Sequence, residues 1–298
     1  SHTSIGKPKG SYDVKPSENN KFMELYHKTV FEDKIPTYMT EGIKDREFTP
    51  VKIDIDFRYY SKECKRIYSH EDIKLICQLY MKAIEEYIEI EDDEEREFYI
   101  LEKPRPTIDK DKFGNEKLND KGEKKIKDGI HIMAPKIVTN VYCQLKFREF
   151  VYKNCEDILG KYNFANPYSD IFDRSVIDRN NWQMYGSTKP DQPPYLVKKI
   201  YKVYSDKVEE IENNKTTKDL IYLLSVRNKF DESLVKLEKQ EEIEKGEKIK
   251  SNRTISKKKK KNAITKCNKK EIELIKKYVQ CLKQERAYSY PTWIEVGW

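Results

Sequence analysis

Val51-Lys-Ile-Asp-Ile-Asp-Phe-Arg58 is the stretch on which the reading of this chain turns. Ile53, Ile55 and Phe57 alternate with Asp54 and Asp56, which predicts a strand that buries one face and carries both carboxylates on the other. Two acids side by side on such a face repel each other unless a cation lies between them. Hard divalent ions such as Mg²⁺ or Mn²⁺ take oxygen ligands, so Asp54-x-Asp56 is a candidate metal edge. A solvated acidic edge strand is the plainer alternative, and the motifs further along weigh against it.

The next such motif is Lys127-Asp-Gly-Ile-His-Ile-Met133, expected to be a strand closed by Pro135. Ile130 and Ile132 would point inward, with Lys127, Gly129 and His131 on the opposite face. That polar face suits phosphate: a small residue for close approach, a cation, and an imidazole. Ile171-Phe172-Asp173 is a short hydrophobic approach to a further acid. Val176-Ile177, the turn Asp178–Asn181 and Trp182–Tyr185 then suggest a hairpin running into Gly186-Ser-Thr-Lys189. The Walker spacing is absent, so P-loop ATPase chemistry is not supported.

Around these motifs, amphipathic helices are expected at Asn20–Phe31, Ser69–Ile90 (with Ser69 as cap) and Asn140–Leu159, and a short strand at Phe98–Leu101. Residues 103–125 read as loop. After about Ser205 the composition changes: an apolar segment, Leu220–Val226, precedes a charge-rich stretch ending in lysines 257–261. That stretch is expected to be a solvated linker or a polyanion contact. Glu271–Leu282 is again helical in pattern, and the aromatic stretch Tyr290–Trp298 is expected to lead into a further module. The expected division is therefore a catalytic domain over 1–205, a charged helical linker over 206–265, and the start of a helical module over 266–298.

The 298 residues carry 59 Lys and Arg against 52 Asp and Glu, a net +7 that fits a polyanion partner. Six scattered cysteines without a Cys-x-x-Cys pair, and four histidines, give no zinc spacing and fit a reducing, intracellular setting. There is no signal-peptide pattern and no apolar run of the roughly 18 residues that cross a bilayer, so no membrane partner is expected.

In order, Asp54-x-Asp56, Gly129-x-His131 and Phe172-Asp173 resemble the three motifs of archaeo-eukaryotic primases, most closely the amino-terminal domain of primase–helicases of nucleocytoplasmic large DNA viruses. Thr3-Ser-Ile-Gly6, Leu101-Glu-Lys103, Tyr185–Lys189, Leu224-Ser-Val-Arg227 and Trp293–Gly297 support the match. Gly129 departs from the Ser of many relatives, and Gln183 stands where an Arg is common. The third acid is Asp173 or Asp178; family spacing selects Asp173, since Asp178 sits in the turn.

The resemblance implies an α+β primase fold: an RRM-like antiparallel sheet plus a second α/β module forming the catalytic cleft, with a helical C-terminal extension. It implies a DNA primase-polymerase whose Asp54, Asp56 and Asp173 hold two divalent ions, Mg²⁺ or Mn²⁺. Lys127, Gly129 and His131 would meet the triphosphate, with Asn181, Ser187 and Lys189 completing the pocket. Implied partners are a single-stranded DNA template, a primer strand, NTP or dNTP, and a fused superfamily 3 helicase. The implied place is a viral replication compartment in the host cytoplasm, with the nucleus left open. A metal-dependent nuclease and a noncatalytic DNA-binding module are the rival readings.

Overall fold

The computed structural model describes residues 1–246. The sequence expectations for the lysine run 257–261, Glu271–Leu282 and Tyr290–Trp298 lie outside those residues.

In chain order the elements are β1 (His2–Ser4), β2 (Gly10–Tyr12), α1 (Asn19–His27), β3 (Met39–Glu41), β4 (Phe48–Ser61), α2 (His70–Tyr87), β5 (Glu97–Glu102) and β6 (Thr107–Ile108). There follow β7 (Lys124–Asn140), α3 (Val141–Asn154), α4 (Glu156–Leu159), α5 (Tyr168–Ile171), α6 (Ser175–Asp178), β8 (Trp182–Gln183), β9 (Leu196–Val203), β10 (Val208–Ile211) and α7 (Thr217–Leu223). Two antiparallel sheets result. The larger runs β10-β9-β5-β7-β4, with β6 beside β7; the smaller runs β2-β1-β3-β8. The fold is mixed α/β, as the sequence suggested at that level.

Alternation in β4 and β7 sorts their side chains between two cores. Ile53, Ile55, Phe57, Ile130 and Ile132 pack with the stripe Ile73, Ile76, Tyr80 and Ile84 of α2 and with Phe147 of α3. Fully burying one such aliphatic side chain contributes about 1.5–3 kcal/mol. On the opposite face Tyr99, Leu101 and Met133 pack with Met23 and Tyr26 of α1, Trp182 of β8 and Leu220 of α7. The second face also carries Asp54, Asp56 and His131, placed where the small sheet meets β4.

Helix α2 begins as expected. Ser69 accepts from the Asp72 amide while Asp72 accepts from the Ser69 amide, a reciprocal capping box. Other expectations need correction. Pro135 does not close its strand: β7 runs on to Asn140, with Pro50 opposite Val138 and Val51 opposite Ala134. The bulge left at 135–137 takes the proline where no ladder donor is needed. The expected helix Asn140–Leu159 breaks at Cys155 into α3 and α4. The hairpin through 178–181 is absent: Ser175–Asp178 forms the helical turn α6, and Trp182–Gln183 pairs with β3. Residue 205 lies in the turn of the β9–β10 hairpin, where the Tyr204 amide donates to the Lys207 carbonyl. The compact unit runs on to Ile243, because Leu220, Ile221, Leu224, Val226 and Ile243 are all buried.

Candidate active site

Strand register builds the site. Asp54 lies opposite His131, and Asp56 opposite Gly129, on the two long neighbouring strands. On the far side of β7, Leu101 lies opposite His131. Along the outer edge of β4, Ile55 bridges to Phe172, and the Asp173 amide donates to the Asp54 carbonyl at 2.9 Å. Residues far apart in sequence thus meet through backbone pairing. Asp54, Asp56, His131, Asp173, Asn181 and Lys189 line one cleft of about 390 Å³, with Thr40, Asn180, Trp182 and Gln183 in its wall.

Asp54 is the strained member. Its side chain is 15% exposed, and its Oδ1 is buried with no hydrogen-bond partner among the described residues; His131 Nε2 stops 3.6 Å away. Burial, then the charges of Asp56 and Asp173, raise its carboxyl well above the ordinary range, against Lys189 and Lys103. An orphaned carboxylate oxygen beside two further acids is a donor set that a divalent cation would satisfy. Among the described residues no group of three or more His, Cys, Asp or Glu side chains is arranged to hold a metal by itself. Asp173 is engaged on both oxygens: Ser175 donates to its Oδ1 through the amide and to its Oδ2 through the hydroxyl, at 2.8 and 2.6 Å. The acids fit Mg²⁺, which is commonly held by one or two carboxylates, with water and substrate phosphate supplying the rest.

His131 is held by rings on both sides. Tyr195 stacks on it at 3.8 Å between centroids, and Trp182 lies tilted at 4.6 Å. Burial, then Lys189 and Lys103, lowers its pKa well below the usual histidine value, so the imidazole is neutral. Lys103, just beyond β5, places its ammonium 4.7 Å from the Tyr195 ring centroid and donates to Gln192 Oε1 at 2.6 Å. Burial and Lys189 lower the Lys103 pKa in turn.

Two expected nucleotide contacts, Lys127 and Ser187, stand elsewhere. Lys127 shares the sheet face but lies four residues from His131, about 13 Å along the strand. Its ammonium pairs with Asp109 at 2.9 Å. Ser187 is buried, and its hydroxyl donates to the Thr37 carbonyl. The space above Gly129 is already filled: a β-carbon there would lie 2.6 Å from the Tyr195 hydroxyl and 3.4 Å from Asp56 Oδ1. Glycine is needed at 129 for tyrosine, where phosphate was expected. Asp178 pairs with Arg174 and Arg179 and does not line the cleft. Gln183 donates to the Ser187 carbonyl and leaves its Oε1 buried without a partner among the described residues.

Sequence reasoning missed Lys103 and Tyr195 as parts of this site. The signal for Lys103 was the period-two continuation of β5 from Leu101. Nothing local marks Tyr195, which follows two prolines and reaches His131 only through folding. A more apolar groove, lined by Met23, Tyr222, Leu223 and Phe230, lies away from the acids.

Residues 1–204 match the family model described as the C962R protein N-terminal AEP domain. Over 199 residues the chain is 30% identical to a protein of Acanthamoeba polyphaga mimivirus named "Putative helicase L207/L206". That match covers 66% of this chain and 19% of the mimivirus protein. With the acids, the histidine and the hydrophobic-Asp segment meeting in one cleft in the expected order, the chain belongs to the AEP family, the archaeo-eukaryotic primases, on the branch of the C962R N-terminal domain.

Proposed function

We propose that this chain is the catalytic domain of a primase-polymerase, which joins nucleotides on a single-stranded DNA template by two-metal nucleotidyl transfer. In this reading the large sheet backed by α2 and α3 is the RRM-like half of a primase fold. The small sheet with α1 forms the second module of the cleft. The domain acts in viral DNA replication as the amino-terminal part of a protein that also carries a helicase; the helicase name of the mimivirus relative supports that arrangement.

The observation that carries the reading is the orphaned Oδ1 of Asp54, set beside Asp56 and Asp173 and faced by two lysines. Asp54, Asp56 and Asp173 would hold the divalent ions. Mg²⁺ or Mn²⁺ there supplies activation of the primer 3′-hydroxyl and neutralisation of the triphosphate charge. The charges of Lys189 and Lys103 both act on Asp54 and on His131, and an anionic phosphate chain between the two lysines would replace their mutual repulsion with attraction. His131, neutral and clamped between Tyr195 and Trp182, offers one fixed N–H to a phosphate oxygen at no cost in reorganisation. Asn181 is tied to Thr3 and Thr40 of the small sheet and so holds the opposite wall of the cleft in register. Positioning and charge neutralisation then supply most of the catalysis.

The test is template-dependent extension with Mn²⁺ and nucleotide triphosphates. Products that need both template and nucleotide support the proposal. Degradation of DNA in the absence of nucleotide would assign a nuclease instead, and DNA binding without either reaction would leave a binding module.

A further inference from the structure

The face that carries the acids continues past them along β4 and β7, and its character changes. Below Asp56 and Gly129 the next pair on the same face is Arg58 and Lys127, and the next is Tyr60 and Lys125. Successive pairs are about 6.8 Å apart, comparable with the reach of one nucleotide in an extended strand. Tyr60 is 38% exposed, and the Lys125 ammonium lies 5.8 Å from its ring centroid. Beside this row opens a groove of about 800 Å³, lined in part by Arg105, Lys110, Glu116, Lys127, Asp191 and Gln192. Gln192 of this groove accepts from Lys103, the lysine whose charge also acts on Asp54.

The acids in the groove are largely committed. Asp109, buried beneath it, takes both Lys117 and Lys127, at 3.2 and 2.9 Å. Glu116 pairs with Lys124 at 3.0 Å. Arg105 and Lys110 are exposed and have no ion-pair partner among the described residues. The groove's wall is the β-turn segment joined by the Lys110–Glu116 bridge, and Phe113 stands at its tip, 77% exposed. The neighbouring Lys112 ammonium lies 4.9 Å from the Phe113 ring centroid. A lone exposed phenylalanine on a polar turn gains nothing from packing within this chain.

Cations spaced along a face, with exposed rings at Tyr60 and Phe113, form the combination that takes a nucleic-acid backbone and stacks its unpaired bases. A duplex would keep its bases from those rings. We propose that the Arg58–Lys127–Tyr60–Lys125 row and the Arg105/Lys110/Phe113 groove form the track that delivers single-stranded DNA to the cleft. This rests on the polymerase reading for its direction toward the acids, but the binding itself does not.

Binding of a fluorescein-labelled oligothymidylate to the full chain, followed by anisotropy in EDTA over a range of salt, tests the track without turnover. Phe113→Ala should weaken binding about tenfold, the loss of one stacked base. Arg105→Ala and Lys110→Ala should each flatten the slope of log K against log salt by about 0.7, one phosphate contact apiece. Asp54→Asn/Asp56→Asn removes two negative charges and frees Arg58 from Asp56, so it should bind at least as tightly as the parent, and a failure of synthesis leaves this result standing. All three surface variants should keep the parent's Tm. Unchanged affinity and slope in these variants, or tighter binding to the matching duplex than to the single strand, would overturn the proposal.

Discussion

Gly129→Ala is the most informative small change in the site. The added β-carbon would lie 2.6 Å from the Tyr195 hydroxyl, well inside contact distance. Tyr195 cannot yield easily: it is 6% exposed, its ring stacks on His131 at 3.8 Å, and the Lys103 ammonium lies over it. Forcing a methyl into a packed site costs roughly 1–3 kcal/mol. At about 2–4 °C per kcal/mol for a domain of this size, Tm should fall by roughly 2–12 °C. Tyr195→Phe removes the atom that is struck, so Gly129→Ala/Tyr195→Phe should recover most of that loss. The four proteins form a double-mutant cycle, read by thermal unfolding and by the KM for nucleotide. The KM should rise in Gly129→Ala, because a displaced Tyr195 tilts His131, and fall back in the pair. If Gly129→Ala melts with the parent, or the pair loses the plain sum of the two single changes, the glycine does not make room for tyrosine and the packing argument fails.

Two further outcomes follow from charge. Asp72 is buried, which opposes ionisation, but the Lys161 ion pair and hydrogen bonds from Tyr162 and Ser69 hold its pKa down at about 2. A depressed folded value contributes stability above the unfolded carboxylate range, lost as pH falls through about 2; Asp72→Asn should remove about 2 kcal/mol at pH 7, seen in urea melts, with the difference from the parent shrinking in acid. Asp54 has the opposite sign. Its raised folded pKa means that the metal-free protein loses stability as pH climbs from the unfolded carboxylate range through the folded value. Asp54→Asn, measured in EDTA, should therefore melt at or above the parent's Tm at pH 8; a lower Tm would show that Asp54 is not strained.

The strands were legible because their alternation is strict. Ile53/Ile55/Phe57 against Asp54/Asp56, and Ile130/Ile132 against Gly129/His131, each admit one burial face, and the register then sets acid opposite histidine. The same rule fails at Lys52, which shares the Asp54 face yet is 2% exposed, its ammonium held by Thr49 and Gln144. Pro135 read as a terminator because a bulge is a property of two strands, and one strand's sequence does not show it. The hairpin expected over 176–185 failed for a related reason: Trp182–Gln183 found a longer-range partner in β3, which no local turn signal announces. Lys127 was assigned by its face alone, and face does not fix position along a strand. Its partner Asp109 lies in a segment that reads as loop by composition.

In the proposed reaction Asp54, Asp56 and Asp173 take divalent metal together with a polyphosphate. Calorimetric titration of Mn²⁺ into the full chain, with and without a nonhydrolysable nucleoside triphosphate, measures this directly. The nucleotide should strengthen the binding, and Asp54→Asn/Asp56→Asn should lose it with the fold retained. Mn²⁺ binding of equal strength in that double variant would contradict this assignment.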